Sequence, residues 1–302
     1  MNTNQTTEYA DRFYELLSNT GVLQSKLFEK IKKDYTFDEL LGLNQLLKYY
    51  IEENKLAIEE VFDCYSFINQ MVIEETYYFR KYGKYRNSTF EEVEQAVYAN
   101  REYMQKYMIG LTITDFIWLQ HVKTVRYFKS LLPQLSGNYF EIGPGFGQYL
   151  SKAIQFGKFT SFKAIDISDT SVANSNKYLD YLNISDKCRV KKEDFFQYDS
   201  NSKFDTIVMG EVLEHVEQPL AMLKKIREIL ASKGKAFITT VINAPAFDHI
   251  FLFNTLEEVL DLCKQAGFKI VEHEYYIAND LPLEKALKKK VAINIAVLLQ
   301  ND

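Results

Sequence analysis

The stretch Asn138-Tyr-Phe-Glu-Ile-Gly-Pro-Gly-Phe-Gly-Gln-Tyr-Leu150 decides how the rest of the chain is read. Tyr139, Phe140 and Ile142 form a short apolar run bounded by turn residues, which predicts a buried strand. Gly143, Gly145 and Gly147 then make a bend, and Gln148 to Phe156 has helical periodicity. A strand-to-helix bend without side chains lets the backbone come close to a ligand. Glu141 sets a carboxylate at the carboxyl edge, where open α/β sheets bind ligands.

Downstream, strands and helices alternate. Phe162 to Ile165 reads as a second strand ending in Asp166, and Thr170 to Leu182 as a helix. Strands follow at Cys188 to Lys191 and Phe204 to Met209, then a helix at Leu220 to Leu230. Gly234 opens a strand over Lys235 to Val241. Thr255 to Ala266 is a helix stopped by Gly267, and Lys269 to Ile277 and Val291 to Leu299 are the last strands. The loop between those two contains Pro282 and no clear full helix. Such alternation predicts a mostly parallel sheet over residues 133–302. Asp166 lies about 20 residues past the glycines, where an acidic side chain suits a ribose, because each carboxylate oxygen can accept one hydroxyl.

Residues 1–132 read differently. No proline occurs before Pro133, and apolar residues recur at three and four. Phe37 to Leu47 fits one helix and Ile58 to Phe79 another. Asn87-Ser88-Thr89 caps a helix running towards Met108, Gly110 interrupts the pattern, and Thr112 to Leu132 resumes it. This predicts an all-α accessory domain. Its run from Tyr77 to Arg86 interleaves aromatics with cations, which suits a helix end at a domain boundary, a small anionic substrate or nucleic acid. Tyr103, Tyr107, Trp118 and His121 are candidates for substrate contact, with a helix core as the alternative.

The chain has 302 residues, a net charge of -5 and three scattered cysteines. That length suits two domains, and the acidic balance argues against a general nucleic-acid coat. Cysteines without metal spacing or even number suggest a reducing compartment. With a polar start from Met1 to Glu8 and no apolar run of about 20 residues, a soluble cytoplasmic protein is expected. No heptad or interface strip assigns an oligomeric state.

Four motifs in order give the chain from Gly137 onwards a resemblance to the class I S-adenosylmethionine-dependent methyltransferases. Glu141-Ile-Gly-Pro-Gly-Phe-Gly147 is similar to their first motif, whose glycine turn (Gly143, Gly145, Gly147) meets the methionine part of the cofactor. Asp166 matches the residue that holds the ribose, with Ile167 after it. Asp194 and Phe195 match the adenine position, a carboxylate for the exocyclic amine and an aromatic over the ring. The run from Phe204 to Val216 matches the fourth-strand motif and adds Glu211 to the cofactor set. The resemblance implies a Rossmann-like seven-stranded α/β sheet with an antiparallel last strand. It also implies a methyltransferase whose helical domain shapes the acceptor pocket.

Methyl transfer from a sulfonium is an in-line displacement, so positioning supplies much of the acceleration. No Asn/Asp-Pro-Pro-aromatic or Pro-Cys motif of the nucleic-acid methylases is found, which favours a small-molecule acceptor methylated on oxygen or nitrogen. If a helix begins near Glu211, that residue stands one turn from Glu214 and His215. With His249 these make a candidate divalent-metal site, similar to those of small-RNA 2′-O-methyltransferases and ubiquinone-pathway O-methyltransferases. The alternatives are a metal-free general base at His249, with Asp248 or His121, and a purely structural role. Two rivals to the small-molecule enzyme stay open: a methylase of RNA or protein, and a non-catalytic cofactor-binding module.

Overall fold

The computed structural model describes residues 6–20, 29–30, 33–94, 101–199, 202–279 and 281–302. Contacts divide the chain into two compact units, Met1–Glu74 with Tyr98–Val122, and Glu75–Val97 with Lys123–Asp302. The units do not coincide with a single cut at residue 132, because residues 75–97 and 123–132 go with the sheet.

The helices of the first half are α1 (Glu8–Asn19), α2 (Phe37–Lys48), α3 (Ile58–Tyr82), the single turn α4 (Phe90–Val93), α5 (Arg101–Ile117) and α6 (Leu119–Leu131). Thr36 and Glu39 form a reciprocal capping box that starts α2. Thr89 and Glu92 do the same at α4, where the sequence predicts a cap. The continuation of that helix over residues 95–100 lies outside the described residues. In the first unit Phe13 packs edge-on against Phe62 at 5.3 Å and Tyr65 at 5.8 Å.

Gly110 does not interrupt the helix, as its helix propensity suggests; it lies inside α5. A Cβ there would stand 2.2 Å from the Cys64 carbonyl oxygen and 2.5 Å from Ile68. The glycine is required where α5 passes closest to α3, and the break falls at Trp118 instead.

The second unit is built on β1 (Ser136–Ile142), β2 (Lys158–Asp166), β3 (Val190–Lys192), β4 (Phe204–Gly210), β5 (Leu230–Ile242), β6 (Lys269–Ile277) and β7 (Ile293–Gln300). They form one sheet in the order β3-β2-β1-β4-β5-β7-β6. β1 to β5 pair in parallel, and β7 runs antiparallel to both β5 and β6. The seven-stranded α/β sheet expected from the sequence is therefore present. β5 begins earlier than Lys235, because Leu230 pairs with Phe204. The connecting helices are α7 (Gln148–Phe156), α8 (Asp169–Tyr181), α9 (Pro219–Ile229), α10 (Leu256–Gln265) and the short α11 (Leu283–Lys288). The chain leaves β1 towards β2 and β3, then returns to β4 on the other side of β1. That reversal opens a crevice at the carboxyl ends of β1 and β4.

Alternation along β1 sends Phe140 and Ile142 into the core beneath α9 and α10, and Tyr139 to the opposite core with Leu150 and Phe237. Glu141 follows Tyr139 to that second face and is 1% exposed. Its carboxylate accepts hydrogen bonds from the Tyr139 hydroxyl and from the Leu150 N–H in the first turn of α7. Burial, helped by the charge of Asp166, nevertheless pushes its pKa up to about 8.

Two outcomes follow. Gly110→Ala gains about 1 kcal/mol of helix propensity but forces a methyl into a carbonyl oxygen, an overpacking cost of about 1–3 kcal/mol. Its thermal midpoint should fall by several degrees; an unchanged midpoint would mean the helices do not pass so closely. For Glu141, a folded pKa above the unfolded value means that the native state holds the extra proton. Wild-type stability must then decline as pH rises from about 4.5 to about 8. Glu141→Gln keeps an acceptor without the titration, so urea unfolding should show it gaining on wild type across that window. At about 1.4 kcal/mol per pKa unit the gain should exceed about 1 kcal/mol, and a constant difference between the proteins would refute the assignment.

Candidate active site

The first part of the site is the glycine turn. Gly143, Gly145 and Gly147 have φ of 63°, 58° and 88°, values that side chains adopt only under strain. A Cβ on Gly143 would meet Val212 at 2.8 Å, whereas nothing lies within 4 Å of one on Gly145. Gly145 thus leaves open space above the backbone, which is where a ligand can approach. The turn is tied from behind: the Ser175 hydroxyl donates to the Gly145 carbonyl at 2.6 Å, and the Gly145 N–H donates to Asp166 at 3.2 Å.

Asp166 ends β2 at 7% exposure. Its other oxygen accepts the Ser168 N–H at 2.8 Å. Burial raises its pKa, opposed by the N–H groups of Ser168, Gly145 and Ile167. A carboxylate has about four acceptor positions, so with three N–H groups bound one remains for a further donor. Ile167 beside it is half exposed and supplies apolar surface at the same edge. Asp194 is partly spent on the Phe196 N–H, at 2.8 Å.

Two expected cofactor contacts are corrected here. Phe195 is 4% exposed and packs against Phe140, 6.2 Å between ring centres, so its ring fills the core and covers no adenine. Phe196 is the residue whose ring is exposed. Glu141, for its part, lies beneath the turn and braces it, with no face towards the crevice.

The second part of the site lies where β4 and β5 end. Glu211 has φ of 53° and Asn243 φ of 50°, so each strand turns sharply as it leaves the sheet. No helix starts at Glu211; a single 3-10 turn, Leu213–His215, follows. The expectation of one helical turn between Glu211 and Glu214 fails for that reason. Glu211 instead accepts the Asn294 side-chain amide at 3.2 Å.

Glu214, His215 and His249 are brought together: one ligand atom from each lies within 4.8 Å of the others. Glu214 is fully buried, and one carboxylate oxygen accepts the Thr240 hydroxyl at 2.7 Å. The other oxygen is buried, and the Glu211 side chain reaches the same carboxyl group. Burial pushes its pKa up to about 7. Its main-chain carbonyl accepts the Ile250 and Phe251 N–H groups, both at 2.9 Å, which seats the His249 loop beside it.

Each imidazole has one nitrogen committed. His215 Nδ1 lies 2.9 Å from the Asp248 carbonyl oxygen, and His249 Nδ1 lies 2.7 Å from the Ala244 carbonyl oxygen. A carbonyl only accepts, so both Nδ1 atoms carry the hydrogen and both Nε2 atoms keep a lone pair. The rings meet edge to face, 4.8 Å apart. Burial and the neighbouring His215 hold His249 down to about 4. Asp248, expected to orient a base, enters through its carbonyl; its carboxylate is 3.9 Å from His215, too far for a hydrogen bond.

The aromatic candidates lie in the helical unit and are described there. His121 Nδ1 is 3.2 Å from the Thr114 hydroxyl and 3.3 Å from Asp115, with its ring against Trp118. Tyr103 packs edge-on to Phe67, and Tyr107 is buried. In the run from Tyr77 to Arg86, Arg86 pairs with Glu75 at 2.8 Å and covers Tyr78. Sequence reasoning missed Thr240, whose role depends on a fold contact, and Tyr85. The Tyr85 hydroxyl reaches Ala244, 159 positions away.

The methyltransferase-domain family matches residues 119–273, about half of the chain. The ubiquinone biosynthesis O-methyltransferase of Glaesserella parasuis serovar 5 (strain SH0165) is 28% identical over 153 residues. The match covers 43% of this chain and 64% of that protein, so the chain spans less than two thirds of its relative's length. Among solved structures, the [4+2]-cyclase SpnF gives a TM-score of 0.50 at 13% identity, over 59% of this chain and 80% of that one. The N-methyltransferase NodS of Bradyrhizobium japonicum WM9, in complex with S-adenosyl-L-homocysteine, gives 0.49 at 16%, over 71% and 99%. Likeness at such identities concerns the fold and not the chemistry. With its sheet order, its glycine turn and its family match in agreement, the chain belongs to the class I S-adenosylmethionine-dependent methyltransferases.

Proposed function

We propose that the protein transfers the methyl group of S-adenosylmethionine to an oxygen of a small-molecule acceptor, next to a divalent cation held by Glu214, His215 and His249. The observation that carries this reading is the pair of imidazoles whose Nδ1 hydrogens are both given to carbonyls. Two imidazole lone pairs and a buried carboxyl group converge within 4.8 Å, and no single proton serves all three. A cation satisfies them together, and carbonyl-anchored Nδ1 atoms are the usual support of metal-binding histidines. When bound, such a cation acts as a Lewis acid and lowers the pKa of an acceptor hydroxyl. Nitrogen and imidazole with carboxylate suit zinc, iron, manganese and related metals.

The chain's own groups divide the remaining work. Gly145 admits the cofactor to the backbone, and Asp166 offers its remaining lone pair to a ribose hydroxyl. Asp194, already turned by the Phe196 N–H, is assigned to the adenine amine. His249 is a poor general base near neutral pH, since a group held at about 4 takes a proton too weakly. That favours the ligand role over the metal-free base. The O-methyltransferase name of the curated relative agrees with an oxygen acceptor. A macromolecular acceptor is disfavoured because Arg86, the best cation of the basic run, is already paired with Glu75.

Calorimetric titration should show S-adenosylhomocysteine binding to wild type. Asp166→Ala should weaken it at least about tenfold, as expected for loss of a charge-assisted contact. Metal analysis of purified protein should find about one divalent ion per chain, removed in His249→Ala with cofactor affinity preserved. A protein that binds cofactor but never a metal would end the cation reading and leave the fold's cofactor site intact.

A further inference from the structure

We infer that Tyr85, seconded by Asn87, is a positioning residue for His249, fixing the loop after β5 so that the imidazole presents Nε2 to the cluster. The inference deepens the cation reading above and rests on it for its functional meaning. The Tyr85 ring is 5% exposed and packs edge to face against His249, 5.8 Å between ring centres. Its hydroxyl oxygen accepts the Ala244 N–H at 3.1 Å. The next peptide along, the Ala244 carbonyl, accepts the His249 Nδ1 hydrogen at 2.7 Å. One residue, Ala244, therefore carries both bonds, and Pro245 after it confines Ala244 to extended backbone. Turning either peptide breaks the other contact. Three residues further on, the Asn87 side-chain amide donates to the Phe247 carbonyl, a second tie on the same loop.

The segment that supplies these groups is itself anchored. Tyr85 packs at a tilt against the buried Phe79, 5.6 Å between ring centres, the Lys290 ammonium sits over the Phe79 ring, and the Phe90 N–H donates to Glu217 at 3.0 Å. Removing the hydroxyl leaves the part-buried Ala244 N–H without its acceptor, a defect that the loop relieves by moving. A movement of the Ala244 carbonyl frees His249 to exchange tautomers, and the Nε2 lone pair is then only partly available.

The test uses the full chain labelled with 15N at histidine. There are four histidines, so a His249→Gln control assigns the signal. Wild type should show His249 protonated at Nδ1 alone. Tyr85→Phe should show averaging of the two tautomers, and its affinity for Co2+ should fall at least about tenfold, with S-adenosylhomocysteine affinity changed less than about twofold. Val259→Ala, which removes buried volume in α10, outside the Tyr85 segment, should lower the melting temperature and leave both readings unchanged. The proposal is overturned if Tyr85→Phe keeps the Nδ1 tautomer and the cation affinity, or if Val259→Ala reproduces its losses. Should Tyr85→Phe fail to fold, Asn87→Ala decides: partial tautomer averaging supports the inference and none overturns it. A wild type that binds no Co2+ sinks the cation reading alone, because the tautomer measurement needs no metal.

Discussion

A carboxylate shut away from water fastens this molecule's working edge. Glu141 joins the last turn of a strand to the first turn of a helix by accepting from Tyr139 and Leu150. The three glycines between them have backbone angles open to few other residues, and such a turn does not hold its shape unaided. The brace below it leaves the upper side of Gly145 clear. Asp166 and Ser175 complete the hold from the next strand and helix. A buried acid costs free energy, and the rise of its pKa measures that cost. The cost is accepted where geometry matters more than stability.

The second half of the site obeys the same constraint with other groups. Two strands end in residues of left-handed conformation, Glu211 and Asn243, which throw their loops towards each other. Glu214 is then held by Thr240 through its side chain and by Ile250 and Phe251 through its carbonyl. The histidines follow from these ties, since each donates to a carbonyl of the same loop. Pre-set orientation of this kind is what a reaction limited by alignment requires.

Much of this was legible in the chain. Apolar runs and glycine stops announced the sheet because its central strands, β1, β4, β5 and β7, are buried on both faces over most of their length. Glu214, His215 and His249 were legible because two are adjacent and the third follows the neighbouring strand. What escaped was whatever depends on exact direction. Phe195 carries an aromatic at the right place in sequence, yet it points into the core. Glu211 was misread because the chain makes a left-handed step where a helix was assumed. Gly110 looked like a helix breaker, although what it serves is the neighbour against which it is pressed. Tyr85 showed only as one member of an aromatic and basic run, since the main-chain N–H that donates to it lies 159 residues away.

The interleaving of the two units bears on inheritance. Residues 75–97 belong with the sheet, yet they are flanked on both sides by chain that belongs with the helices. A helical appendage joined at one point can be exchanged or lost as a cassette. Here, deleting everything ahead of the first strand would also delete Tyr85 and Asn87, and with them the ties on the histidine loop. A core cut at the first strand would keep its glycine turn and lose both of these bonds.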